Sequence, residues 1–407
     1  MRYSRFFTRT KRSAPHQESA NAYLLDKAGY TSQVAAGVYA LLPLAVRSLQ
    51  KIEQIVREQM NELGGSEVIF SALQPKATGE QSGRWQDPNF RSITYFDQDA
   101  DMTFGATHEE PMTQVVKETV QSYRDLPVVL YQFQTKFRKE LRAKSGLLRG
   151  REFRMKDLYS FHPDLETHNA FYEQAAAAYL KTFQRLGLET YRVKASGGVF
   201  SHEYSDEFQV ICPTGEDEIL VNHAKKTGYN QEVEKTIPAG EKKQLERVRS
   251  IEVGNIFHLG SKYTEAFGVQ YLDNNGQRQP ITMGSYGIGI TRVLGTLAEL
   301  YHDEDGLKLP AQVAPFAVYL IDLTESGEGE KIEQELEAAG IEVLYDDRAI
   351  GTGQKLVDAD LIGLPVRLIY SPKTAPHHQV ELKNRATGEV DLINRQDLLK
   401  TVKQIIS

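Results

Sequence analysis

Five arginines, Arg138, Arg142, Arg149, Arg151 and Arg154, alternate with apolar and acidic residues between Phe137 and Phe161. The planar guanidinium fork grips phosphate or carboxylate oxygens with two parallel hydrogen bonds and stays charged. Two extended runs joined by a turn around Ser145 and Gly146 predict an antiparallel hairpin, in which alternate residues share a face. Arg138 and Glu140 would face one way, with Arg149, Arg151 and Phe153 on one face of the returning strand. Such a surface would hold a polyanion. The alternative is a solvated strand pair with ion pairs to Glu140, Glu152 and Asp157.

Two further segments shift the balance toward chemistry. Thr107-His108-Glu109-Glu110 sets two acids ahead of Pro111, a pattern that also suits a helix start, where carboxylates offset the macrodipole. Met283-Gly-Ser-Tyr-Gly-Ile-Gly-Ile-Thr-Arg292 is a glycine-rich run ending in an arginine. It lacks the third glycine of a dinucleotide fingerprint, and its glycines let a strand approach a ligand closely. Phe137 to Glu140 and Arg149 to Phe161 together match a FRxE strand, a loop and a return strand reading RxREFxMKDxYSF. With these three segments in order, the chain resembles the bacterial type of the prolyl-tRNA synthetase family, within the class II aminoacyl-tRNA synthetases. The likeness runs from about Arg2 to the C-terminus.

The resemblance implies ATP and Mg2+ as cofactors, the magnesium carried by the ATP phosphates. It implies that Arg138 holds the α-phosphate and the substrate carboxylate, and that Glu140 accepts hydrogen bonds from the adenine edge. Arg149 and Arg292 would meet the outer phosphates, Phe153 would stack on the purine, and Glu252 and Asn255 would serve magnesium or ribose. Arg138 and Arg292 are the expected catalytic pair. At the proline end it implies Thr107, Glu109, Arg138, His258, Gly284 and Ser285, with His108 as a packing residue. Asp347, Arg348 and Lys355 are the expected anticodon contacts. Joining a carboxylate to a phosphate needs no side-chain base, because the nucleophile is already ionised; positioning and charge compensation suffice.

Length and composition set the frame for these elements. A chain of 407 residues has room for two or three domains with ample core. A net charge of −7 argues against wholesale coating of nucleic acid but is compatible with a local basic groove. Cys212 is the only cysteine, which excludes an internal disulfide and a multi-cysteine zinc cage. It also weighs against a threonine-activating relative, which would need a Cys/His/His zinc set. No apolar run reaches the roughly 18 residues that argue a membrane span. The basic first thirteen residues superficially resemble an organelle presequence, yet the family likeness begins at Arg2 and Ser4, so a bacterial cytoplasm is expected.

Apolar spacing predicts an amphipathic helix from Val46 to Leu63, stopped by Gly64-Gly65, then a strand over Glu67 to Phe70. The resemblance makes this pair a homodimer interface. Ser71 and Ala106 stand where the family pattern has prolines. A second helix is expected from Leu165 to Leu186, and the stretch Glu203 to Val221 resembles a family segment ending in GED. Between the second and third motifs many relatives insert an editing domain; here residues 225–249 make a short, charge-rich surface hairpin or loop. Beyond Pro310 to Pro315, strand and helix alternate: Val318 to Ile321, Lys331 to Ala338, Ile341 to Tyr345, Lys355 to Ile362, Val366 to Tyr370 and Leu398 to Ile406. That alternation predicts a small α/β domain with a largely parallel sheet.

The expected architecture is thus an α+β catalytic core on a mixed, mainly antiparallel sheet (the class II synthetase fold) over residues 1–310. A C-terminal α/β anticodon-binding domain over 311–407 completes it. The expected partners are tRNA(Pro), proline, a second copy of the chain and a separate trans-editing protein, with no membrane. A hydrophobic pocket discriminates against one missing methylene by only about 1–3 kcal/mol, so alanine would sometimes enter. A non-catalytic paralogue is the main rival reading, but such a protein would shed the phosphate-gripping arginines.

Overall fold

The computed structural model describes all residues except 14–18, 98, 142, 144, 198–203, 325 and 407, and residue 204 by its backbone alone. Arg142, one of the five arginines above, and Glu203 lie outside the described residues. The chain divides into two compact units. One comprises Ala36–Val38 and Glu53–Val293; the other comprises Met1–Ala35, Tyr39–Ile52 and Leu294–Ser407.

The first unit is built on a nine-stranded sheet. Its order is Tyr204–Ile211, Tyr191–Ser196, Thr227–Asn230, Asp217–Asn222, Glu246–Gly260, Thr282–Gly289, Glu152–His162, Val128–Phe137 and Ser66–Glu67. Two neighbouring pairs run parallel, Thr227–Asn230 with Tyr191–Ser196 and Ser66–Glu67 with Val128–Phe137; the others run antiparallel. The sheet is therefore mixed and mainly antiparallel.

The two faces of this sheet have different covers. Helix Leu165–Arg185 lies on the back, with Phe171, Tyr172, Ala175, Ala176, Tyr179 and Phe183 buried. Tyr172 donates to the Ile256 carbonyl at 3.1 Å, and a Cβ at Gly254 would meet the Phe183 ring at 3.0 Å. Leu180 of the same helix is exposed. On the front, helix Glu109–Thr119 buries Met112 and Val116 against Tyr159, Phe161, Tyr263 and Met283. Burial of each such aliphatic side chain stabilises by about 1.5–3 kcal/mol.

Several expected boundaries shift. The early helix spans Pro43–Glu62, with proline preset for a first helical position, and Gly64 at φ +78° ends the run. Val46 is exposed rather than part of the buried stripe. The following strand is only Ser66–Glu67. Residues 225–249 are more ordered than a loop: Thr227–Asn230 joins the main sheet, followed by a 3-10 turn at Gln231–Thr236 and a short helix at Ala239–Lys242. A hairpin there was legible, its insertion into the large sheet was not.

In the second unit a five-stranded sheet has the order Val343–Tyr345, Val318–Asp322, Val366–Tyr370, Gln379–Asn384 and Val390–Asn394. The first three are parallel; the last two add antiparallel. The sheet is thus mixed rather than largely parallel. Helices Glu328–Ala338 and Leu398–Ile406 bury Ile332, Leu336, Leu398 and Val402 against Val318, Leu320, Val366 and Leu368.

Candidate active site

The hairpin ladder runs in register from Val128 opposite Phe161 to Phe137 opposite Glu152 and then stops. One further bond, Arg138 N to Arg151 O at 2.9 Å, extends it. Arg138, Glu140, Arg149 and Arg151 therefore stand on the connecting loop and not on paired strands. Ser145 and Gly146 both take positive φ, 63° and 62°, which curls the loop into the 3-10 turn Gly146–Leu148 and ends the alternation that an extended run would impose.

Arg138, Glu140, Arg149, Phe153, Glu252, Asn255 and Arg292 line one cavity of about 190 Å3. These are the seven residues expected at the nucleotide. Glycines shape its floor. A Cβ at Gly287 would lie 2.5 Å from Met155 Cε and 2.9 Å from Asn255 Oδ1, so no larger residue fits there without displacing both. Arg292, early in helix Ile290–Leu300, is held by acceptors on two segments. Its Nε donates to the Leu148 carbonyl at 2.8 Å, and its Nη1 donates to Glu252 O at 2.8 Å and Oε2 at 3.2 Å. Asn255 Nδ2 donates to the other Glu252 oxygen at 2.8 Å. Arg149 Nη1 donates to Glu216 Oε2 at 2.6 Å and its Nε lies 3.4 Å from Glu140.

Arg138 connects this cavity to a second cluster. Its guanidinium lies 5.2 Å from the centre of the Phe153 ring, and its Nε donates to the Ala106 carbonyl at 3.3 Å, one residue before Thr107. Burial and the nearby Arg292 charge lower its pKa, yet an arginine remains a cation through such a shift.

The second cluster gathers Thr107 and Glu109 with residues the sequence reading did not place there. Thr107 Oγ1 donates to Glu109 Oε2 at 2.7 Å and lies 3.2 Å from Tyr159 OH. Tyr159 donates to Asp157 Oδ2 at 3.0 Å and accepts from the His108 amide at 2.9 Å. Lys136, fully buried, donates to the same Asp157 oxygen at 2.8 Å and reaches His108 Nδ1. With Nδ1 as acceptor, His108 is the neutral Nε2–H tautomer, and Nε2 donates to Ser71 O at 3.0 Å. Burial first, and the Lys136 charge second, push its pKa down to about 4. His108 thus fastens the loop to the sheet, as its expected packing role requires. Asp157, an ion-pair partner for the hairpin arginines in the alternative reading, serves Lys136 instead; Arg154 pairs with Glu53.

Arg84 is the largest omission. Its Nη1 donates at 2.8 Å to both Glu109 Oε2 and Glu110 Oε2. Against the cost of burial, the Arg84 charge holds Glu109 low, while burial and the Glu109 charge raise Glu110. The Glu109 carboxylate, expected to stand ready for an ammonium, therefore carries a guanidinium partner.

Ser285 pairs across the sheet from Tyr159 and Phe257 and shares their face. Gly284 and His258 pair with each other and face the opposite side. There His258 stacks on Tyr172 at 3.8 Å and 15°, and contacts His168 Nε2 at 2.9 Å. His258 also lines a separate cavity of about 840 Å3 with Arg192 and Asp206. The pleat turns the His258 side chain away from the face that holds Phe153 and Ser285, and a Cβ at Gly284 would meet Tyr286 OH at 2.4 Å on the back.

The expected anticodon residues are engaged within their own unit. Arg348 forks onto Asp346 at 2.8 and 2.7 Å, donates to Asp358 at 2.8 Å and lies 3.6 Å over Tyr3. Lys355 is buried and donates to the Asp346 carbonyl at 2.9 Å. Asp347 accepts from Ser4 N and Oγ at 2.8 and 2.6 Å. Each of the three thus has hydrogen-bond partners inside its own unit: carboxylates for Arg348, a backbone carbonyl for Lys355, and the amide and hydroxyl of Ser4 for Asp347. Among the described residues, no group of three His, Cys, Asp or Glu side chains is arranged to hold a metal ion. No helix among them is long and apolar enough to cross a membrane.

An antiparallel sheet with a motif-bearing hairpin, a glycine strand running into an arginine-bearing helix, and an appended α/β unit define a class II aminoacyl-tRNA synthetase with an anticodon-binding domain. Family models agree: residues 93–301 match the tRNA synthetase class II core domain (G, H, P, S and T), and residues 317–405 match the anticodon binding domain. Among similar curated proteins, the proline-tRNA ligases of Rhizorhabdus wittichii and Anaplasma phagocytophilum are each 38% identical, with 99% of this chain and 100% of each relative covered. That of Agrobacterium fabrum is 36% identical over 97% of this chain and 98% of the relative. The chain belongs to the proline-tRNA ligase family, in a form short enough to lack the inserted editing domain.

Proposed function

We propose that the Arg138 cleft activates proline with ATP and passes the prolyl group to tRNA(Pro). The observation that carries this reading is Arg138 itself, which lines the cavity with Arg292 and also binds Ala106 O beside Thr107. One cation so placed reaches both an α-phosphate and a neighbouring carboxylate. The proline carboxylate oxygen attacks the α-phosphorus, an O–P bond forms and pyrophosphate leaves with the electrons of the broken bond. Arg138 compensates charge at the reacting phosphate, and Arg292 and Arg149 compensate it on the departing one. Phe153 supplies a face for the purine, Glu140 an acceptor for its exocyclic amine, and Glu252 with Asn255 acceptors and donors for ribose. Magnesium carried by the triphosphate would neutralise part of its charge, with Glu252 and Asn255 the nearest residues to serve it. Thr107 and Glu109 take the secondary ammonium, and Ser285 borders the ring.

In the second step a terminal ribose hydroxyl of tRNA attacks the prolyl carbonyl, and the leaving adenylate phosphate accepts its proton. Residues 1–310 carry both steps, and 311–407 bind the anticodon stem-loop through surfaces other than Arg348 and Lys355. The enzyme works as a homodimer in the cytoplasm and leaves alanyl-tRNA(Pro) to a separate editing protein. Pyrophosphate exchange into ATP, measured with each of the twenty amino acids, tests the reading. Exchange should be strong with proline and weak with alanine; exchange driven best by threonine, or by none, would overturn it.

A further inference from the structure

We propose that Arg84 is a positioning residue for imino-acid recognition, setting the orientation and net charge of the Glu109 carboxylate that meets the substrate ammonium. The inference rests on the reading of Glu109 given above. Arg84 sits in Ser82-Gly83-Arg84-Trp85 between two short helices, Lys76–Gln81 and Pro88–Ile93. Gly83, at φ +80°, supplies a turn that other residues resist, and the next side chain runs inward until only 3% of Arg84 remains exposed. The guanidinium carbon lies 4.8 and 4.7 Å from the centres of the Phe90 and Tyr263 rings, which fix its plane. From there Nη1 bridges Glu109 and Glu110, while Ser82 Oγ donates to Glu110 Oε1 at 3.0 Å.

Charge balance gives this bridge its function. One guanidinium shared by the two carboxylates keeps Glu109 ionised, while burial and the Glu109 charge raise Glu110; the Glu109 charge is the one a secondary ammonium meets. Remove the guanidinium, and two carboxylates crowd together; like charges in contact share a proton, and Glu109 loses the charge that attracts substrate. Thr107 and Arg84 both donate to Oε2 of Glu109, so the bridge also fixes the carboxylate plane. None of these groups lines the nucleotide cavity, so the effect should fall on proline and spare ATP.

The test is steady-state pyrophosphate exchange on the full chain, with proline and ATP titrated separately and folding checked by circular dichroism. Loss of one member of a buried, hydrogen-bonded charge pair costs enough that R84M should raise the KM for proline by about 30-fold or more. The KM for ATP should move by less than about twofold. R84K restores the cation without the planar fork, so a rise of only about fivefold is expected. Adding E110Q to R84M should recover part of the loss, because a single remaining carboxylate stays ionised. An unchanged proline KM in R84M, or proline and ATP KM values rising together, would overturn the proposal. Should R84M fail to fold, R84K decides by the same split, with both constants unchanged as the contrary result. E109Q separates the two levels: if it leaves the proline KM unchanged, the Glu109 reading itself fails, whereas an effect of E109Q with silent Arg84 variants defeats only the role of Arg84.

Discussion

Arg149 donates its shortest hydrogen bond to Glu216, at 2.6 Å, while lining the same cavity as Arg138 and Arg292. A guanidinium assigned to the outer phosphates of ATP is thus hydrogen-bonded to a carboxylate. Glu216 both competes for Arg149 and repels a triphosphate. E216Q should therefore lower the KM for ATP by about threefold, the scale of a partly exposed ion pair, and leave the proline KM alone. A higher KM for ATP would mean that Glu216 aims Arg149 instead of restraining it.

Acid should weaken the fold through its buried histidines. His108 and His162 are each pushed down to about 4 from 6.5, chiefly by burial. Between those values the unfolded chain binds more protons than the folded one, so stability rises with pH. The contribution is complete above 6.5 and is lost progressively as pH falls toward 4. For fully buried His108 alone the loss approaches about 3 kcal/mol. Urea unfolding midpoints should decline steadily from pH 7 to 4.5, and less steeply in H108N; a flat profile would contradict the assignment of a neutral His108.

Arg348 belongs to the stability of its unit. Removing one partner from a buried ion pair costs about 3–5 kcal/mol, and Asp346 beneath it is fully buried. R348A should lower the unfolding midpoint markedly, while D347A should change the KM for tRNA by less than about twofold. A tenfold rise in that KM at unchanged stability would return these residues to the anticodon.

Much of this was legible in the chain, for identifiable reasons. Val366–Tyr370 and Leu398–Ile406 appear as expected because an apolar run and a strong helical stripe leave little choice. The hairpin Gln379–Asn384 and Val390–Asn394 escaped, since its polar alternation reads as loop when one face meets solvent. The seven residues expected at the nucleotide line one cavity because the hairpin loop carrying Arg138, Glu140 and Arg149 and the helix carrying Arg292 adjoin the strands of Phe153, Glu252 and Asn255. His258 lies on the other face by parity, three residues beyond Asn255. Arg84 carried no periodic signal at all. Its meaning arises only when Glu109 and Glu110, distant in sequence, close around it.

Misacylation should follow from the short segment at 225–249. With only about 1–3 kcal/mol separating proline from a ligand one methylene smaller, alanyl-tRNA(Pro) should form and persist. Purified alanyl-tRNA(Pro) incubated with the enzyme should decay no faster than in buffer; rapid hydrolysis would reveal an editing centre in this chain.

Proline-dependent pyrophosphate exchange in R138A and R292A tests the central claim most directly, that two guanidinium groups facing one cleft compensate the charge of the reacting phosphates. Loss of such preorganised donors should reduce exchange by about 10²–10³-fold or more in each folded variant. Exchange within tenfold of the unaltered enzyme in R138A would contradict the account.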